Sequence, residues 1–175
     1  MTCIAAVRDG KRVWIGGDSA VTDSSSALYD VVLKSKVFRL GDGEYLAGVA
    51  GDLAVVQAIR YKLVTPLAPK DCSEPLGFVV KDFLPRLHTA LDLIAEPDFD
   101  LILTFGGHLF SVSSSFAVLQ HDDYATAGAG AQVALGALAS TPHLSPLDRV
   151  RNALRIAAKH VEGVREPFDV LCDPE

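Results

Sequence analysis

The sequence predicts an α+β fold in which helices cover antiparallel sheets. Two hairpin patterns occupy the first third of the chain, and helical periodicity then appears in two pairs of segments separated by further strand patterns. Hairpins produce antiparallel sheets, and helices that come in pairs form layers on the outside of those sheets. The predicted order is therefore strands, two helices, strands, two helices and a closing strand, arranged as a sandwich.

The two hairpins are predicted from their turns and from the apolar runs beside them. Asp9-Gly10 is a turn dipeptide between two short apolar runs, and Gly41-Asp42-Gly43 separates two more. In the second hairpin the first run alternates apolar and polar residues with period two, which is typical of a half-buried strand. The four runs are residues 3–7, 12–17, 36–40 and 44–50, with a polar loop at 18–26.

The helices are predicted from a 3.6-residue apolar period and from residues that begin or end a helix. Asp52 is well placed at the start of the first helix, and Pro66 ends it. Pro75 fits the first turn of the second helix, whereas Pro85 should disturb its interior. The predicted helices are 53–64, 73–94, 131–139 and 145–161, and the later strands are 100–105, 109–112, 116–119 and 168–171.

Composition limits the classes of function. The chain has 175 residues, with 16 Lys and Arg against 22 Asp and Glu, which gives a formal charge of −6. This length predicts one domain, residues 1–175. The acidic balance argues against a nucleic-acid binder, and no apolar run is long enough to cross a bilayer. Lys11 and Arg12 interrupt any secretory signal, and three cysteines are too few for a disulfide framework, so we expect a cytoplasmic protein.

Four residues near the N-terminus form a constellation that can carry chemistry. Thr2 follows a methionine whose removal is favoured by a small second residue, and a terminal Thr holds a hydroxyl and an α-amine together. That amine has a pKa of about 8 and can act as the base for the hydroxyl. Asp18 and Lys36 end and begin strands, so their charges can support a nucleophile. Gly51 ends a strand where a backbone N–H can face an oxyanion.

Each of the four residues also has an ordinary structural explanation. A threonine at position two is common, and Asp18 follows two glycines as many turn residues do. Taken alone, Lys36 is explained as a charged residue exposed to solvent at the end of a strand. Gly51 is explained as a turn residue before a helix. The hypothesis of a catalytic site therefore depends on the combination.

The segments around these residues resemble the proteasome β-subunit and HslV-like family. The segments are residues 2–7, 13–19, 36–40 and 46–51. Asp18 lies 16 residues after Thr2, as the family pattern requires. The loop before Lys36 is longer than in HslV-like proteins, so Lys34 is an alternative for its role. The resemblance implies a four-layer αββα sandwich, an N-terminal nucleophile hydrolase, a homo-oligomeric assembly of stacked rings, polypeptide substrates and an ATP-dependent unfoldase as partner.

The resemblance also implies roles for individual residues. Thr2 would be the nucleophile of a threonine peptidase, Asp18 and Lys36 its supporting charge pair, and the Gly51 amide part of the oxyanion hole. Thr22 would bind the substrate backbone together with Gly51. Val21 and Val49 would face the specificity pocket; these catalytic and substrate-binding residues are Thr2, Asp18, Lys36, Gly51, Val21, Thr22 and Val49. The two valines predict a preference for apolar side chains at the cleaved position.

Some positions depart from the family pattern. Ala129 stands where many members have a serine, and the stretch around His160 lacks the usual carboxylate, although His160 could substitute in that network. Two alternatives follow, namely a catalytically silent ring-forming scaffold and an amidase that acts on small amides. Cys3 is expected to be a buried strand residue. The scattered Cys and His residues predict neither a metal site nor a cofactor.

Overall fold

A computed structural model describes residues 1–22, 28–29, 35–69 and 71–173. Its first sheet has four antiparallel strands in the order β10-β1-β2-β11. These strands are β1 (Ile4–Asp9), β2 (Arg12–Asp18), β10 (Tyr124–Ala127) and β11 (Phe168–Cys172). The β1–β2 hairpin is therefore central, and two strands from the second half of the chain complete the sheet.

The second sheet has five antiparallel strands, and each is hydrogen-bonded to the next one along the chain. Its strands are β5 (Val37–Leu40), β6 (Tyr45–Gly51), β7 (Phe99–Phe105), β8 (His108–Ser113) and β9 (Val118–His121). A short pair, β3 (Val21–Thr22) and β4 (Leu28–Tyr29), lies outside both sheets. The second predicted hairpin is thus the first part of a meander.

The helices follow the predicted order. They are α1 (Leu53–Tyr61), α2 (Pro75–Phe78), α3 (Leu84–Leu91), α4 (Ala131–Ala139) and α5 (Pro146–His160). A π-helical turn, Val79–Phe83, joins α2 to α3. Pro85 has no N–H to donate to the preceding turn, so a local widening of the helix just before it is the expected response. The disturbance predicted at Pro85 is therefore present, displaced towards its N-terminal side.

Three apolar clusters define four layers. One cluster packs α1, α3 and the π-helical turn against the five-stranded sheet, through residues such as Ile59, Phe83 and Leu103. A second packs α4 and α5 against the four-stranded sheet, and Cys3 is buried in it. The third lies between the sheets, where Ile4 and Ile102 are fully buried. The predicted α+β fold with an αββα sandwich of antiparallel sheets is confirmed.

Several boundaries differ from the prediction. The strand predicted at 116–119 is Val118–His121, because Phe116 has a φ of 61° and closes a turn by donating its N–H to Ser113. Helix α1 ends at Tyr61 rather than at residue 64. Strand β10 was not predicted, and Val21–Thr22 forms a short strand inside the predicted polar loop. In the described part of the chain, no helix is long and apolar enough to cross a membrane.

Candidate active site

Thr2 lies two residues before the start of β1 and is held at its carbonyl. The Gly130 N–H donates to the Thr2 carbonyl oxygen at 3.0 Å. Thr2 is only 8% exposed, and it lines two cavities. The loop that begins at Gly128 can approach this closely because Gly128 has a φ of +84° and lacks a Cβ, which would overlap the Thr2 carbonyl.

Asp18 connects the start of β1 to Lys36. Its Oδ1 accepts from the Cys3 N–H at 2.8 Å, and its Oδ2 accepts from the Ala20 N–H at 3.1 Å. The Lys36 Nζ lies 2.9 Å from each carboxylate oxygen. Both residues are buried, with Asp18 1% exposed and Lys36 8% exposed. Asp18 and Lys36 therefore form an ion pair, and the Asp18 carboxylate also accepts backbone hydrogen bonds.

Lys36 also reaches the residue that precedes Thr2. Its Nζ donates to the Met1 carbonyl oxygen at 2.8 Å, so the ammonium lies beside the peptide group that joins Met1 to Thr2. Burial lowers the pKa of Lys36 below its ordinary value, and the Asp18 carboxylate opposes that shift by charge and hydrogen bonding. Burial and the Lys36 charge likewise lower the pKa of the Met1 α-amine. The N-terminus of the chain is thus in electrostatic contact with the pair.

Gly51 forms the rim of the same site at the end of β6. Its φ is +127°, a backbone conformation that favours glycine. A Cβ at this position would overlap the Asp98 carbonyl oxygen, so the absence of a side chain lets β6 lie tightly against the segment that begins β7. Gly51 is exposed, and it lines cavities on both sides of Thr2.

The first of these cavities is an apolar pocket of about 490 Å³, with its open mouth included. Val21 and Val49, the residues predicted to face a specificity pocket, line it together with Thr2 and Lys36. Its lining also includes Ala20, Leu53 and Val56, which the sequence reasoning did not assign to the site. Leu53 begins α1 and is 46% exposed, so an apolar residue at an exposed helix start was the signal that could have identified it.

The second cavity lies on the other side of Thr2 and has a different chemistry. We call it the acidic recess; it is lined by Met1, Thr2, Ala50, Gly51, Asp98, Phe99, Asp100, Gly128 and Ala129. Asp98 and Asp100 are exposed and supply the ionisable side chains among these residues. Ala129 contributes a methyl group where the resemblance implies a hydroxyl. The sequence reasoning did not assign either aspartate to the site.

The remaining predicted residues lie elsewhere or outside the described residues. Thr22 belongs to the short strand β3, where it pairs with Leu28, and its side chain lies outside the description. Lys34, the alternative to Lys36, also lies outside it. His160 is exposed at the end of α5 and lines a recess that does not include Thr2, so the structure gives no support to its substitution in the network. Cys3 is fully buried as predicted, and burial raises the pKa of its thiol to about 12.

The arrangement brings a hydroxyl, a cation and a backbone turn to one cleft. The Lys36 ammonium lies beside the residue that carries the hydroxyl, and a positive charge there favours the alkoxide over the alcohol. Asp18 holds that ammonium in place and keeps it charged. The geometry is suited to nucleophilic attack by Thr2 on an electrophilic carbon bound between the two cavities.

The chain is similar to known proteins in both sequence and structure. No protein-family model matches the chain. The ATP-dependent protease subunit HslV of Caldicellulosiruptor saccharolyticus is 31% identical over 167 residues, which cover 90% of this chain and 89% of that protein.

Solved structures show the same fold at lower sequence identity. BPH of Thiobacillus denitrificans, in complex with epoxomicin, superimposes with a TM-score of 0.80 at 18% identity and covers 97% of both chains. The crystal structure of eukaryotic HslV from Trypanosoma brucei has a TM-score of 0.72 at 20% identity, covering 97% of this chain and 98% of that one.

Proposed function

This chain belongs to the proteasome β-subunit and HslV-like family of N-terminal nucleophile hydrolases, and from that premise we propose that it is a threonine endopeptidase. Thr2 is its nucleophile once Met1 has been removed. The observation that carries the proposal is the position of Thr2, which lines one cavity together with Lys36, the cation of the buried Lys36–Asp18 pair. The family relationship makes peptidase chemistry the expected use of that arrangement.

The proposed mechanism uses the α-amine of Thr2 as the base. The amine accepts the hydroxyl proton while Oγ attacks the carbonyl carbon of the scissile peptide bond. The Gly51 N–H stabilises the negative oxygen that forms, and Lys36 stabilises the developing charge on Oγ. The amine then gives the proton to the leaving nitrogen, which departs and leaves an ester on Thr2. Water then attacks the ester carbonyl while the α-amine accepts a proton from the water. The amine returns that proton to Oγ as the ester breaks and the acid product leaves.

The proposal extends to assembly and substrates. We expect polypeptide substrates to bind as an added strand along Gly51 and Thr22, with the residue before the scissile bond in the apolar pocket. We further expect the single domain to assemble into homo-oligomeric stacked rings in the cytoplasm, fed by an ATP-dependent unfoldase. Sedimentation and electron microscopy of the purified protein test ring formation, and a monomer would contradict this part of the proposal.

Covalent labelling by a peptide epoxyketone tests the nucleophile directly. Such a reagent reacts with a hydroxyl and an amine on the same terminal residue. We therefore expect the chain that begins at Thr2 to gain one molecule of epoxomicin, seen as an increase in its intact mass. Peptide mapping should place the adduct on Thr2, and the Thr2→Ala variant should remain unlabelled. Thermal unfolding of that variant serves as the control that it is folded.

The outcomes separate the three functions that the sequence leaves open. Labelling at Thr2 together with cleavage of fluorogenic peptides supports the peptidase. Labelling together with hydrolysis of small amides, but of no peptide, would favour the amidase. A folded chain beginning at Thr2 that is neither labelled nor active would favour the silent scaffold, and would contradict the proposal.

The apolar pocket predicts the preference at the cleaved position. We expect kcat/KM to be about 10- to 100-fold higher for cleavage after Leu or Phe than after Arg or Glu, because burial of an apolar side chain contributes about 1.5–3 kcal/mol. Leu53→Glu places a charge at the pocket wall and should reduce this ratio several-fold. A panel of fluorogenic peptides measures it.

The matched control for this prediction is Leu93→Glu. Leu93 is 81% exposed and does not line the pocket, so the same change in charge and hydropathy should leave the preference unaltered. Fastest cleavage after Arg or Glu by the unaltered protein would contradict the prediction.

A further inference from the structure

We propose that Arg60, on α1, is a positioning residue that holds Lys36 in the orientation needed beside Thr2. This inference rests on the proposed function, in which Lys36 stabilises the charge on Oγ, and it adds a residue to that function. The Arg60 Nη1 donates to the Ser35 carbonyl oxygen at 3.3 Å. Arg60 therefore holds the peptide group that immediately precedes Lys36, although it lines neither of the two cavities beside Thr2.

Lys36 depends on such support because its backbone lies just outside a strand. Strand β5 begins at Val37, and the Lys36 carbonyl oxygen accepts from the Val49 N–H at 3.0 Å. The C-terminal side of Lys36 is thus attached to β6, and Arg60 supplies an attachment on its N-terminal side. Because a peptide group is planar, rotation of the Ser35–Lys36 peptide group changes the φ of Lys36 and the direction of its side chain. The hydrogen bond to the Ser35 carbonyl restrains that rotation.

Arg60 is itself held against aromatic rings. Its guanidinium carbon lies 5.0 Å from the centre of the Phe38 ring and 5.8 Å from the centre of the Tyr61 ring. Phe38 belongs to β5 and is buried in the core cluster under α1, so its ring is fixed. A guanidinium that rests on an aromatic ring keeps its planar donors pre-oriented. The Ser35 carbonyl is therefore bound by a donor that has little freedom to move away.

The orientation of Lys36 matters because its ammonium meets groups from different parts of the fold. Its Nζ lies 2.9 Å from each Asp18 carboxylate oxygen and 2.8 Å from the Met1 carbonyl oxygen. Asp18 belongs to the four-stranded sheet, whereas Lys36 leads into the five-stranded one. A lysine stem is long and flexible, so a small change at its backbone can break these contacts. Misplacement of a catalytic group by 1 Å can reduce a rate by about 10²-fold.

Arg60 also has an ordinary structural explanation. It lies in the last turn of α1, where a cation interacts favourably with the helix dipole. A loss of stability on substitution would therefore fit both explanations. The test must measure the rate of each folded site instead.

The inference is tested with Arg60→Met, which keeps an unbranched apolar stem over Phe38 but removes the donor. Prolonged titration with epoxomicin counts the folded sites, and kcat per site is measured with a peptide aminomethylcoumarin ending in Leu. We expect kcat per site to fall about tenfold while KM changes by less than about twofold, because Lys36 acts on charge that develops in the transition state. The ratio of kcat/KM for cleavage after Leu and after Arg should stay the same, because the residues of the apolar pocket are unaltered.

A conservative variant and a matched control complete the experiment. Arg60→Lys keeps a long cationic donor, so its kcat per site should be about two- to fourfold below that of the unaltered protein and above that of Arg60→Met. It stays below the unaltered value because an ammonium lacks the planar fork of donors. Arg155→Met makes the same change at an exposed position of α5 that lines neither cavity, and it should leave kcat per site unaltered.

The outcomes distinguish this inference from the function on which it rests. An unaltered kcat per site in Arg60→Met would overturn the inference and leave the peptidase standing. A higher KM at unaltered kcat would do the same, since Arg60 would then act on substrate binding through Ser35. If Arg60→Met does not fold, Arg60→Lys decides, and a kcat per site equal to that of the unaltered protein overturns the inference. Failure of a chain that begins at Thr2 to be labelled or to cleave peptides would overturn the proposed function and this inference together.

Discussion

A chain that retains Met1 is expected to cleave a fluorogenic peptide about 10²- to 10⁴-fold more slowly than a chain that begins at Thr2, the range supplied by a general base. With Met1 present, the nitrogen of Thr2 is part of a peptide bond and cannot accept the hydroxyl proton. The Met1 carbonyl also takes a hydrogen bond from Lys36 at 2.8 Å. Removal of Met1 both supplies the base and frees a donor of Lys36.

The comparison needs two preparations that differ only at the N-terminus. Cleavage of an N-terminal fusion directly before Thr2 provides the first, and a fusion cleaved before Met1 provides the second, with intact mass as the check on each. Equal melting temperatures would show that both are folded. A preparation that keeps Met1 throughout the assay and is fully active would refute the mechanism.

Asp18→Asn is expected to lower the free energy of unfolding by about 3–5 kcal/mol and to reduce kcat/KM by about 10²-fold or more. The substitution keeps the size of the side chain but leaves the buried Lys36 ammonium without its counter-ion. Asp18 is also the group that opposes the burial-induced lowering of the pKa of Lys36. The pKa of Lys36 should therefore fall further, and the cation beside Thr2 should be lost.

Urea unfolding measures the stability, and steady-state cleavage of a fluorogenic peptide measures the activity. Asp122→Asn is the control, because its side chain is fully exposed at a turn and substitutions of that kind change stability by less than about 0.5 kcal/mol. The double variant Asp18→Asn/Lys36→Met removes both charges and should recover part of the lost stability without activity. A loss of less than about 1 kcal/mol in Asp18→Asn would show that the pair is not structurally important.

Asp18 and Lys36, which the structure brings into contact, could be singled out from the sequence because both stand at strand ends in recognisable hairpins. Asp18 ends β2 and Lys36 precedes β5, which belong to different sheets, so it is the family resemblance that pairs the two residues. Strand β10 escaped prediction because Tyr124–Ala127 contains two alanines and is only four residues long, which gives a weak periodic signal.

The walls of the cavities could not be predicted, because they depend on contacts between distant segments. Asp98 and Asp100 come beside Thr2 only through the pairing of β6 with β7. Val56 lies on the first turns of α1, and periodicity places it on the buried face without saying what it faces. Hydrophobic patterning identifies the residues in the core of a sandwich. The residues that line a cleft depend instead on which strand ends and helix ends come together in the folded chain.

The attachment of the peptide group that joins Thr2 to Cys3 has a consequence for conformational entropy. Chain termini are ordinarily the most mobile part of a domain, and ordering one residue of backbone costs about 1–2 kcal/mol. Here the Thr2 carbonyl is bound by Gly130 and the following amide, that of Cys3, is bound by Asp18. Folding has already ordered the residue that carries the hydroxyl. A bound peptide would therefore meet a preorganised nucleophile, and its binding energy could position the scissile carbonyl instead of immobilising the enzyme's own N-terminus.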